Sequence, residues 1–144
     1  MKKKMLLGLL VTIPFLTACG SNGGSGNVMR CSDYSGAEMS GYAFKFDGDK
    51  LSKMGMFEGI DLNKVSKEDG CTDKSSCTKL AETALPECEN DEYMESCNIE
   101  SDDDTVIIVG YYNEKGMKSE RNYSVGMSKS EVKKQAESEG FTCR

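Results

Sequence analysis

Apolar and polar positions follow two rhythms along this chain. Tyr42, Phe44 and Phe46 alternate with Ala43 and Lys45, placing three aromatics on one face of a strand. Asp47-Gly48-Asp49-Lys50 is a turn signal, and Leu51–Ile60 follows as a partner strand, so the pair reads as a hairpin. Gly55 and Gly59 weaken that second strand and predict a bend or bulge. Val28–Asp33 reads as a short first strand. Thr105–Tyr112 is apolar on both parities and rich in β-branched residues, which predicts a central strand covered on both faces.

The second rhythm is helical. Cys77, Leu80, Ala81 and Ala84 recur at helical spacing within Ser75–Leu85, and Pro86 is expected to end that helix. Asp91–Cys97 reads as a further helical turn carrying Tyr93, Met94 and Cys97. Asn113–Gly116 turns the chain, and Asn122–Met127 returns as a strand. Ser128-Lys129-Ser130-Glu131 has the capping-box pattern of a helix start, with Gly140 as the stop. Phe141–Arg144 is a short tail able to join the sheet. The expected fold is α+β: an antiparallel sheet of four to six strands with two helices, stabilised by disulfides.

The N-terminal pattern belongs to neither rhythm. Lys2, Lys3 and Lys4 form a cationic head, Met5–Leu16 is an apolar run, and Thr17-Ala18 supplies small residues before Cys19. Those are the marks of a secretory signal. The apolar run is too short for a hydrocarbon core that needs ~20 helical residues. Leu16-Thr17-Ala18-Cys19 matches the bacterial lipobox, in which the cysteine receives a diacylglyceryl group and becomes the new N-terminus. Two acyl chains hold a protein firmly to a membrane. Residues 1–18 are therefore expected to be a lipoprotein signal peptide. Residues 19–27 are the lipidated cysteine with a Gly/Ser tether of ~16 Å r.m.s. reach. Residues 28–144 form one extracytoplasmic domain, at the cell membrane or the outer membrane.

Removing Lys2, Lys3 and Lys4 moves the formal charge from -6 to -9, with 15 basic against 24 acidic side chains. So acidic a chain repels nucleic acid and anionic head groups at long range and favours a basic partner. Six cysteines remain beside Cys19: Cys31, Cys71, Cys77, Cys88, Cys97 and Cys143. An even number in a small exported domain reads as a disulfide framework. There is no Cys-x-x-Cys pair and no histidine, so zinc-finger spacings, thioredoxin-type dithiols, imidazole bases and Ser-His-Asp triads are not expected. Asp102-Asp103-Asp104 lacks the alternation of an EF-hand and reads as a solvated hairpin turn. Glu87, Glu89, Asp91, Glu92 and Glu95 read as the wet face of a helix. The seven methionines after the signal are scattered, as core fillers rather than a copper site. No cofactor, metal site or catalytic residue is expected.

The lipobox and tether, Met29-x-Cys31, Phe46-x-Gly48-Asp49-Lys50-Leu51, and the ending Glu139-Gly140-Phe141-Thr142-Cys143-Arg144 together resemble the YehR-like bacterial lipoproteins. The resemblance implies a small α+β lipoprotein domain and no assigned activity. It also implies a Cys31–Cys143 bridge joining the first strand to the C-terminal tail. The segment Cys71–Cys97, with four further cysteines, departs from that pattern. There, Cys71–Cys77 with Cys88–Cys97, and Cys77–Cys88 with Cys71–Cys97, are both allowed. The functional expectation is a non-enzymatic binding or interaction module, its partner a basic protein or a small molecule. The alternatives are an envelope enzyme using carboxylates or thiols, and an inhibitor of a basic host enzyme such as lysozyme.

Overall fold

The computed structural model describes residues 27–144. Residues 1–26, which include Cys19 and the expected signal peptide and tether, lie outside the described residues. Six strands form one antiparallel sheet: β1 (Val28–Ser35), β2 (Glu38–Asp47), β3 (Lys50–Asp61), β4 (Met94–Ser101), β5 (Thr105–Tyr112) and β6 (Thr142–Cys143). Their order across the sheet is β4-β5-β3-β2-β1-β6. The helices are α1 (Lys74–Glu89), α2 (Glu114–Ser119) and α3 (Lys129–Ser138). The fold is α+β with three disulfides, Cys31–Cys143, Cys71–Cys77 and Cys88–Cys97.

Neighbours across an antiparallel ladder point to the same side, so the registers divide the sheet into two faces. On the outer face, Met29 and Cys31 stand beside Tyr42 and Phe44, then Met54, and farther across Gly110 and Cys97. Both long helices lie here. The α3 residues Val132 and Ala136 pack into a core with Phe44, Phe46, Leu51 and Met54. Tyr123 joins that core, its ring 5.0 Å from Phe44 and 5.6 Å from Tyr42. The α1 residues Cys77, Ala81, Ala84 and Cys88 cover the β4–β5 side, pinned by Cys88–Cys97. A side chain at Gly110 would meet the Cys88 sulfur at 2.6 Å, so the helix sits directly on the strand.

The inner face carries Arg30, Ser32 and Tyr34 of β1, Met39, Gly41 and Ala43 of β2, and Gly55, Phe57 and Gly59 of β3. Ile107, Val109 and Tyr111 of β5 and Glu100 of β4 complete it. Among the described residues no helix packs on this side, yet Phe57, Ile107 and Val109 are all buried. The sheet curls to bury them. In a flat sheet β1 and β4 would be four strand spacings, about 19 Å, apart. Here the Arg30 guanidinium reaches the Glu100 carboxylate at 3.4 Å. The curl needs small inner residues. A Cβ on Gly41 would stand 1.8 Å from the Cys31 carbonyl oxygen, and one on Gly59 would stand 2.1 Å from Ile107 Cγ2.

Several sequence expectations change. No bulge lies at Gly55 or Gly59: β3 pairs continuously through both, and the register shift lies at Lys45/Phe46. Pro86 does not end α1, which runs on to Glu89. The proline forfeits one backbone bond, but its own carbonyl accepts from the Asn90 N–H, and Cys88 is held by its bridge. Asp91–Cys97 is no helical turn. Met94 onward pairs with β5, because Cys97 must lie opposite Gly110 to meet Cys88. Asn113 caps α2, its side chain accepting from the Gly116 N–H, so the chain coils there rather than merely turning. Asn122–Met127 is loop, not strand. It buries Tyr123, and the ladder contact falls at the single bridge Lys50–Ser128. The Ser128 capping box and the Gly140 stop, at φ +100°, are present.

Candidate functional site

The trough of the curled sheet is where the structure gathers chemistry. Arg30 sits at its middle, its guanidinium 5.8 Å from the centre of the Phe57 ring and paired with Glu100. The neighbouring inner positions on Arg30's own rung are Ala43 and Gly55, which leave room for so large a side chain. Tyr111 follows on the same rung, and the Lys45 ammonium lies 4.2 Å from its ring centre.

Burial shapes the electrostatics. It pushes the Glu100 carboxyl up to about 8, against the downward pull of Arg30, with Asp102 adding a smaller upward push. Burial likewise lowers the Arg30 guanidinium, which Glu100 partly offsets, and raises the Tyr111 hydroxyl to about 12. Burial disfavours both charges, so the carboxyl holds its proton more tightly and the guanidinium less tightly than in water.

Beside Arg30 opens a slot of about 350 Å³. Val28, Arg30, Ser32 and Tyr34 of β1, the middle strand here, line it, with Met39 of β2 on one side and Thr142 and Arg144 on the other. Its position follows from β6. Arg144 exchanges two backbone hydrogen bonds of 2.8 Å with Arg30, so the tail is held as a short sixth strand. Cys143 faces the outer core and is bridged to Cys31, which leaves Thr142 and Arg144 facing inward. The volume falls in the range of small-molecule sites.

The acidic residues singled out in the sequence lie elsewhere. Asp102 sits in the β4–β5 turn, where its side chain accepts from the backbone N–H groups of Asp104 and Thr105 and from the Thr105 hydroxyl. Asp104 accepts from Asn63 at 3.1 Å. Glu87 and Glu89 occupy the last turn of α1, Asp91 and Glu92 the following turn, and Glu95 lies on β4, so this stretch is not one helix face. Glu92 pairs with Lys115 and Glu95 with Lys53. Of the methionines, Met29, Met39 and Met54 fill cores, while Met56 is exposed. Among the described residues no three cysteine or acidic groups converge as a metal site, and no helix is long and apolar enough to cross a membrane.

Two acids that the sequence did not single out do come together on the outer face. Glu139 accepts from the Tyr123 hydroxyl at 2.7 Å and from Gln135 at 3.3 Å. Glu120 is hydrogen-bonded to Tyr112, and burial, with Glu139 nearby, raises its carboxyl. Burial first, then the bond to Glu139, raises Tyr123 as well. Both carboxylates are thus committed to the tyrosines that roof the aromatic core. No signal local to either glutamate marks this, because its partners come from three separate elements. No protein-family model, curated protein or solved structure matches the chain.

Proposed function

We propose that this is an exported bacterial lipoprotein of the YehR-like kind, held at a membrane by lipid on Cys19, whose domain is a non-catalytic binding module outside the cytoplasm. The lipobox pattern Leu16-Thr17-Ala18-Cys19 supports the anchor. Three disulfides in a domain this small suit an oxidising compartment. All six cysteines of the described domain are bridged.

The observation that carries the binding reading is the slot beside Arg30. It is preformed, mostly apolar, and built on strands locked by the Cys31–Cys143 bridge. Rigid elements that present a few polar groups around an apolar cavity are what small-molecule sites use.

The anchor is tested by detergent-phase partitioning of the full chain expressed in a bacterium, beside Cys19→Ser. The native chain is expected in the membrane and detergent phase with a mass gain matching acylation. Cys19→Ser is expected in the aqueous phase. Equal partitioning of the two chains overturns the anchor.

A further inference from the structure

The slot is lined by cations and no anionic side chain, in a chain that is acidic overall. The chain has 24 acidic residues and three arginines, Arg30, Arg121 and Arg144. Two of those three arginines line the slot, and none of its lining side chains is a carboxylate. The hydroxyls of Ser32, Tyr34 and Thr142 stand with them. The rest of the lining is apolar: Val28, the ring of Tyr34 and Met39, the last only 8 % exposed.

From this we infer that the slot takes a small amphiphile with one anionic head group, its apolar body along Val28 and Met39 and its head at Arg144 with Thr142 and Ser32. The inference deepens the binding-module reading and rests on it. Two guanidiniums in an apolar lining suit a carboxylate, sulfate or phosphate ester, because a planar fork of donors matches paired anionic oxygens. A neutral ligand would leave the Arg144 donors unused. A cation would meet like charge.

The geometry divides the work between the arginines. Arg30 is fixed under the slot by Glu100 and the Phe57 ring. Arg144 is exposed, but its backbone is tied to Arg30 through both N–H and C=O, so its side chain leaves from a fixed point at the mouth. The acidic surface elsewhere does not defeat this. Glu100 and Asp102 act on Arg30, so the exposed Arg144 is the cation that meets the head group, and charges more than ~8–10 Å away across water are largely screened at physiological salt.

Amide-resolved NMR of the isotope-labelled Cys19→Ser chain tests this without the lipid. The chain is titrated with octanoate below its micelle concentration, and in parallel with octanol. Octanoate is expected to shift Ser32, Tyr34, Met39 and Thr142 saturably, and octanol to bind at least several-fold more weakly. Arg144→Glu should weaken octanoate about tenfold or more, the worth of a charge-assisted contact. Arg144→Lys should recover part of the loss. The inference is overturned by octanoate shifts confined to other surfaces, by equal binding of octanol, or by unchanged affinity in Arg144→Glu with a native spectrum. Failure here leaves the Cys19 partitioning result untouched, so the two readings fail separately.

Discussion

The two faces of the sheet are made from alternate residues of the same strands, yet they solve burial differently. The outer face uses large apolar side chains and lays helices over them. Phe44, Met54 and Leu51 interlock with Val132 and Ala136 of α3, and α1 closes the other half through Cys88–Cys97. The inner face has no such cover among the described residues. It buries Phe57, Ile107 and Val109 by curling around glycines, with Arg30 and Glu100 reaching across the curl. One face spends its chemistry on stability. The other keeps polar groups and an open slot where a ligand can reach them.

Substitutions that separate the faces give effects of graded size. The largest is expected from replacing Cys31 and Cys143 together by serine. Their bridge spans 112 residues, worth about 5 kcal/mol in the chain-entropy account, against ~2 for a loop as short as that of Cys71–Cys77. Denaturant unfolding should rank the two serine pairs in that order. The reverse ranking would mean that β6 contributes little to closing the outer core. Next, Phe44→Ala should cost about 3–5 kcal/mol, since the ring is fully buried between Tyr42 and Tyr123. A loss below 1 kcal/mol in the same melt would show the outer core to be loosely packed.

Inner-face packing is expected to be intolerant in the opposite direction. Gly41→Ala forces a methyl group against the Cys31 carbonyl, an overpacking that costs about 1–3 kcal/mol or more. Unchanged thermal stability would deny that the curl depends on this glycine. The Glu100 carboxyl predicts a pH effect of definite sign. Its proton is held more tightly in the folded chain, up to about 8, than in the unfolded chain, near 4.5. That contribution is full below the unfolded value and is lost as pH rises through the folded one. Stability should therefore decline between about pH 5 and pH 8, and Glu100→Gln should remove most of the decline, leaving the part that Glu120, raised in the same sense, contributes. Asp73 and Glu131, lowered by their hydrogen bonds to Ser76 and Ser128, act with the opposite sign and only in acid, so they do not mask it. Were the slope to persist in Glu100→Gln, another group would be its source. Smallest of all, Arg144→Glu should shift stability by no more than about 0.5 kcal/mol, as at exposed sites generally. A larger loss in the same melt would make Arg144 part of the framework.

Much of the outer face was legible in the sequence. The alternation at Tyr42, Phe44 and Phe46, the turn at Asp47–Lys50, the apolar run of β5 and the capping box at Ser128 are local patterns, and local patterns determine those elements. The inner face was not. Gly55 and Gly59 look like weak points in a strand until their neighbours on β5 are known, when they become the positions that let the sheet close. Arg30 and Glu100 are 70 residues apart, and nothing near either one announces the other. Met94–Ser101 is strand because Cys97 has to reach Cys88 beside β5, a tertiary demand that helical spacing at Tyr93, Met94 and Cys97 cannot reveal. The slot could be found only after β6 was placed, since a two-residue strand leaves no periodic signal.

The division of labour between the faces is tested most directly by measuring octanoate affinity in Arg144→Glu and in Val132→Ala, both at a temperature where each remains folded. The structure predicts that Arg144→Glu loses about tenfold or more in affinity with stability unchanged. Val132→Ala, its side chain fully buried between α3 and the outer face of the sheet, should lose stability and keep the native affinity. Equal affinity in both, or a loss confined to Val132→Ala, would contradict the assignment of binding to the inner face.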